Sequence, residues 1–231
     1  EIHWRDWSSD VCSSDLSDFV TIQTPGKNFI PVALASGQLN GDAYTDVLAL
    51  LSGGTGPATY ACVISGGPTP SVFALPLLPP GTTTVALGTL DSDALPDAVF
   101  GINSGAGTAG QVVIYPNQSA QTAPAVSWDS TNAFTVATRD APTALAVADY
   151  NGDGRNDIIY AASDGVHVLL NQAGAAGKPG FADSLVYGGN GWNVSSLVTA
   201  DFSGDSRPDV IVADTKNHTV VLLENSCSPA L

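Results

Sequence analysis

The sequence predicts an all-β fold in which one four-stranded sheet recurs at intervals of about fifty residues. Three observations carry that prediction. Four segments share one pattern of apolar strand, nine-residue polar loop, apolar strand and Gly-rich turn: "VALASGQLNGDAYTDVLALLSGG" (32–54), "VALGTLDSDALPDAVFGINSG" (85–105), "LAVADYNGDGRNDIIYAASDG" (145–165) and "LVTADFSGDSRPDVIVADTKN" (197–217). Their loops begin at Gln38, Thr89, Asp149 and Asp201, spacings of 51, 60 and 52 residues. No stretch of a dozen residues has a helical apolar stripe with caps. The spacing is too long for a solenoid coil and suits the four-stranded blade of a β-propeller.

Each blade can be filled in order. The first two strands flank the polar loop. A third follows the Gly-rich turn: "TYACVIS" (59–65), "QVVIYPNQ" (111–118), "GVHVLLNQ" (165–172) and "HTVVLLEN" (218–225). A variable linker then leads to an outer strand such as "FTVAT" (134–138) or "SLVYG" (184–188). Runs of Val, Ile, Leu and Tyr bounded by Gly, Pro, Asn and Asp are the local signature of such strands. "DFVTIQ" (18–23) reads as an initial outer strand, which could complete the last blade and close a four-bladed ring, leaving no exposed edge.

Composition agrees with a β-rich fold. Of 231 residues, 44% are hydrophobic and only 13% charged, with 24 Gly and 15 Pro. No apolar run reaches the ~18 residues of a membrane span. The net charge of −15 opposes sequence-independent binding to nucleic acid, which needs Lys and Arg at the phosphates. Residues 1–16, "EIHWRDWSSDVCSSDL", share nothing with the repeats and are similar to a translated sequencing adapter; they are set aside from fold reasoning as an artefactual or disordered tail. They hold four acids (Glu1, Asp6, Asp10, Asp15) and one base (Arg5), so residues 17–231 carry −12. They also hold Cys12. Cys62 and Cys227 remain, as one disulfide or as two thiols. With an artefactual start, a signal peptide cannot be sought.

The loops carry the chemistry. At positions 1, 3, 5 and 9 the third offers Asp149, Asn151, Asp153 and Asp157, and the fourth offers Asp201, Ser203, Asp205 and Asp209. Arg155 and Arg207 at position 7 can give backbone carbonyls. The first loop offers Gln38, Asn40, Asp42 and Asp46, and the second Thr89, Asp91, Asp93 and Asp97; these are weaker candidates because position 1 is not Asp. Alternate oxygens on a tight loop can surround one point, and Ca2+ takes roughly six to eight of them. Oxygen donors without Cys or paired His favour a hard cation over zinc or copper. The competing reading is a set of Asx-rich turns that cap backbone N–H groups without any metal. An EF-hand is excluded by context, since position 12 of the third loop is Tyr160, inside the β-branched run "DIIYAAS".

This nine-residue spacing, with its last acid at the mouth of a strand, resembles the FG-GAP/VCBS repeats of integrin-like β-propellers. The resemblance covers residues 32–225; "DYNGDGRNDIIYA" and "DFSGDSRPDVIVA" match most closely. It implies a calcium-stabilised propeller, either a fragment of a larger ring, commonly seven blades, or the closed four-bladed ring. The expected function is a binding or adhesion module, extracellular or at the cell surface, taking a protein or carbohydrate ligand. Neither nucleic-acid binding nor membrane insertion is expected, and the chain is expected to be a monomeric domain of a longer polypeptide. The alternative is the propeller part of a secreted carbohydrate-active enzyme, although no catalytic constellation is visible. "GAGTAG" (Gly105 to Gly110) matches a dinucleotide fingerprint but precedes a strand rather than a helix, which makes it a turn. Asn117, Asn193 and Asn217 open N-x-S/T triplets of the kind that arise by chance. Trp128 and Trp192, in the linkers, are expected to pack between blades rather than to stack on sugars.

Overall fold

The computed structural model describes residues 29–53, 59–67, 70–74, 78–103, 109–119, 126–174, 179–188 and 191–226. The expected adapter-like tail, the strand at 18–23 and Cys227 lie outside them. Among the described residues all regular structure is β, and no helix is long and apolar enough to cross a membrane. Four antiparallel sheets follow one another along the chain, each a simple meander.

Blade 1 is β1 (Phe29–Gly37), β2 (Asp46–Gly53), β3 (Thr59–Ser65) and β4 (Ser71–Ala74). Blade 2 is β5 (Thr82–Gly88), β6 (Asp97–Ile102), β7 (Gln111–Tyr115) and β8 (Phe134–Ala137). Blade 3 is β9 (Ala144–Ala148), β10 (Asp157–Ala162), β11 (Gly165–Ala173) and β12 (Pro179–Tyr187). Blade 4 has three strands among the described residues, β13 (Val194–Ala200), β14 (Asp209–Asp214) and β15 (Thr219–Leu223). Within the described residues the expected strands are found, with β12 starting at Pro179, upstream of the "SLVYG" that signalled it. Gly110 leads directly into a strand, β7, and not a helix; most of the turn expected at 105–110 lies outside the described residues.

The first strands pack side by side in the order β1, β5, β9, β13, so the blades fan from a common inner edge. β1 and β13 stand at opposite ends of this row, and the described sheets are not closed into a ring. Convergence of the inner strands demands small residues. A Cβ on Gly88, the last residue of β5, would lie 2.2 Å from Val147 Cγ1 of β9, closer than any side chain tolerates.

Alternation along each second strand sends one set of side chains to the preceding blade and the other to the next. Ala98 and Phe100 of β6 face blade 1 and meet Leu48, Leu50 and Val63. Val99, between them, faces blade 3 with Val112 and Ile114, against Ile158 and Tyr160. Ile159 and Ala161 in turn face blade 4, against Val210 and Val212. Three apolar layers thus fill the joints between blades, each of the sheet-on-sheet type, and a fourth buried cluster of Ala49, Leu51 and Cys62, with Phe29, Tyr60 and Ile64 packed on it, lies on the far side of blade 1. Trp128 packs against the first layer and Trp192 against the third, as expected of the linker tryptophans.

Candidate metal-binding loops

The four polar loops join the first and second strands of each blade, so the repeat brings all of them to one rim. The same Asx turns recur at position 5 of every loop and at position 3 of the first three. The position-5 carboxylate accepts the N–H of position 7 in every loop: Asp42 from Tyr44 at 2.7 Å, Asp93 from Leu95 at 2.8 Å, Asp153 from Arg155 at 2.9 Å and Asp205 from Arg207 at 3.0 Å. Asn40, Asp91 and Asn151 at position 3 likewise accept the N–H of position 5 at 3.1, 2.9 and 3.0 Å.

Where position 1 is Asp, a further ring of bonds forms. Asp149 accepts the N–H groups of Gly152, Asp153 and Gly154 at 2.9, 3.1 and 2.9 Å. Asp201 repeats this with Gly204, Asp205 and Ser206 at 2.7, 3.1 and 2.9 Å. The curl requires a left-handed backbone at position 6. Gly154 adopts it at φ +85° without strain, while Ser206 adopts it at φ +68° against its Cβ. In loop 3 Arg155 reaches back to pair with the Asp153 carboxylate and donates through Nε to the Asn171 carbonyl at 2.9 Å.

Position 9 has a different task. The carboxylates of Asp46, Asp97, Asp157 and Asp209 are buried. One oxygen of each accepts the N–H of position 2 in its own loop: Leu39, Leu90, Tyr150 and Phe202, all at 2.9 Å. The other accepts an N–H just beyond the third strand or near its end, from Gly66 at 3.0 Å, Asn117 at 2.9 Å, Asn171 at 2.7 Å and Asn225 at 2.7 Å. Each aspartate thus pins the loop to the third strand across the second.

The sequence reading had not singled out the partners of these pins as functional. The side-chain amide of Asn117 donates to the carbonyls of Leu39 in blade 1 and Pro96 in its own loop, at 2.9 and 3.0 Å. Asn171 does the same to Leu90 and Asn156, at 2.9 and 3.0 Å, and Asn225 to Tyr150 and Pro208, at 2.7 and 3.3 Å. Every such Asn clamps its blade to the loop of the preceding one. The signal was legible as an Asn near the end of, or just after, three of the four third strands. Blade 1 has Gly66 there, where a Cβ would lie 2.3 Å from the Thr45 carbonyl oxygen. Asn117 is buried in this role, so its N-x-S triplet offers no glycan acceptor.

The pins differ in electrostatics. Burial pushes the Asp97 carboxyl up to about 6, against the N–H bonds from Asn117 and Leu90 and with help from the charges of Asp91 and Asp93. Asp157 is also raised, chiefly by burial. Asp209 is lowered, with the N–H of Asn225 as the leading cause. An unfolded aspartate titrates near ~3.9, so native Asp97 holds its proton where the unfolded chain has lost it, and stability grows as pH falls from about 6 towards 4. In EDTA, the melting temperature should rise from about pH 7 to about pH 5, and Asp97→Asn should flatten that slope.

The donor chemistry of the loops, oxygen without sulfur or imidazole, fits a hard cation. Positions 1, 3 and 5 of each loop are brought onto one turn, whereas the position-9 oxygens are engaged with strand N–H groups. Among the described residues no group of three or more His, Cys, Asp or Glu converges as a metal cage. The N–H capping turns considered as the alternative are thus present in all four loops. Between loops 2 and 3 lies a groove of about 480 Å³, walled by Asp91, Asp93, Arg155, Asn156, Gln172 and Pro179.

No curated protein matches the chain. Residues 149–212 match the model of the FG-GAP-like repeat. The matched span runs from the first residue of loop 3, through the rest of blade 3, β13 and loop 4, into β14, somewhat more than one period of the architecture above. At residues 149–212 the chain carries an FG-GAP-like repeat, and the four sheets are blades of a propeller-type array.

Proposed function

We propose that the chain is a calcium-stabilised, extracellular β-propeller module acting in binding or adhesion, with a protein or carbohydrate as its ligand. The supporting observation is the rim of repeated oxygen-rich loops, best developed at Asp149, Asn151 and Asp153 and at Asp201, Ser203 and Asp205. Their backbone N–H groups are capped from within, so the loops hold their curl before an ion arrives. Arg155 supplies positive charge to Asp153 in the ion-free loop, and ion binding there would replace that pair. Calcium would add electrostatic cross-linking within a loop; no step of chemistry is assigned to it.

Thermal unfolding in calcium and in EDTA tests the reading. Free calcium at about 100 times its Kd should add roughly 2.7 kcal/mol, which for a chain of this size is a rise of roughly 2–4 °C per kcal/mol. Asp153→Ala should remove much of that gain while leaving the EDTA curve little changed. Coincident melting curves in calcium and EDTA would overturn the calcium role.

A further inference from the structure

We propose that the groove between loops 2 and 3 takes a lysine or arginine side chain from an extended segment of a partner protein. It rests on the binding-module reading and gives that module a site. One wall of the groove is an addition to the blade plan. β7 and β15 end two residues before their clamp asparagines, at Tyr115 and Leu223, whereas β11 runs on through Asn171 to Ala173, paired with Pro179–Phe181 of β12. The clamp of Asn225 forms without such an extension, so the joint between blades does not need it. Blade 2 props the extension, with Phe134 stacked on Phe181 at a centroid distance of 6.1 Å. Gln172, Gly174 and Pro179 are thereby brought to the groove that loop 2 lines.

The other wall departs from the repeat in charge. In loops 1 and 3 position 3 is Asn, and its amide donates to the position-5 carboxylate, Asn40 to Asp42 at 3.0 Å and Asn151 to Asp153 at 3.1 Å. Loop 2 has Asp91 there, which brings Asp93 a second carboxylate and no donor. Burial, and after it the charge of Asp91, pushes the Asp93 carboxyl up. Arg155 is the one cationic side chain on the walls among the described residues, and it is engaged with Asp153 and the Asn171 carbonyl. A second hollow of about 200 Å³ shares Asp91 and Pro179 with the first, so the groove continues past the carboxylate pair. It adds the charge of Asp129 and the ring of Phe134. A cation between Asp91 and Asp93 relieves their repulsion, which a neutral sugar would leave in place. The rings of Phe134 and Pro179 suit the alkyl stem that carries such a charge.

Fluorescence anisotropy with the full 231-residue chain in EDTA tests this apart from any effect of calcium. A fluorescein-labelled peptide of alternating lysine and glycine should bind, and its counterpart with glutamate in place of lysine should not. Affinity should fall as sodium chloride is raised from about 0.05 M to about 0.5 M. Asp91→Asn should weaken binding roughly tenfold. Because it restores the amide donor of loops 1 and 3, it should melt no lower than wild type. Gln172→Lys, which hangs a cation from the opposite wall, should also weaken binding. Glu224→Gln, which removes one exposed charge beyond β15, should not. A wild type that ignores the lysine peptide overturns the proposal. So does an equal loss in all three variants, which would trace the attraction to net charge. Binding of maltohexaose in place of the lysine peptide would give the groove to a carbohydrate; that too overturns the proposal, while leaving the chain a binding module.

Discussion

Asp157→Ala is expected to destabilise the fold by about 2–6 kcal/mol, roughly 1–3 kcal/mol for each of two buried N–H groups left without an acceptor. Those groups are Tyr150 N and Asn171 N, at 2.9 and 2.7 Å from the two carboxylate oxygens. The raised pKa of Asp157 shows that burial opposes the ionised carboxylate despite both bonds. Removing the acceptor nevertheless exposes the other half of the arrangement, because an N–H shielded from water cannot regain its bond. Asp157→Asn keeps one acceptor and should fall between the two. The loss should be the same in EDTA as in calcium, measured by urea denaturation. A loss confined to calcium would show that this carboxylate serves an ion and not the strands, and would contrast with Asp153→Ala, whose effect is expected only with the ion present.

Phe100→Ala is expected to cost about 3–5 kcal/mol, the usual range for deleting a fully buried aromatic ring. Phe100 is buried in the layer between blades 1 and 2, against Leu48, Leu50 and Val63, with its ring edge-on to Tyr115 at a centroid distance of 5.7 Å. The joint has few ways to collapse, because its inner strands are already close: a Cβ on Gly37 of β1 would lie 3.3 Å from Leu87 Cδ1 of β5. Trp128 packs against the same layer, so its emission should shift to the red as the joint loosens. A change below ~1 kcal/mol would show that blades 1 and 2 do not pack through this ring.

The blade plan was legible because two periodicities coincide: alternation of two within strands and a repeat of about fifty between them. Loop positions 1, 3 and 5 were also legible, since Asp, Asn and Gly at alternate places announce a tight Asx turn whatever binds there. Position 9 is expected among the ligands from its residue type, and the structure adds that its oxygens accept strand and loop N–H groups. Its use as a pin depends on Asn171 and its equivalents, between 14 and 20 residues away in sequence. Such a distant partner is set by strand register, which a local motif does not encode. The clamp asparagines escaped for the same reason. Their acceptors Leu39, Leu90 and Tyr150 lie 75–81 residues upstream, in another sheet, and present only backbone oxygen.

The direction of the clamp has a consequence for biogenesis. Every clamp amide sits on the later blade, and besides a carbonyl of its own loop it reaches one that belongs to the earlier blade. During synthesis the N-terminal blade emerges first, yet its loop receives its last hydrogen bond only when the third strand of the following blade has left the ribosome. Each blade is therefore finished by its successor, and ordering lags translation by one repeat. At every moment of synthesis the newest blade is the open-faced one, and it is there that a chaperone would find apolar surface to hold.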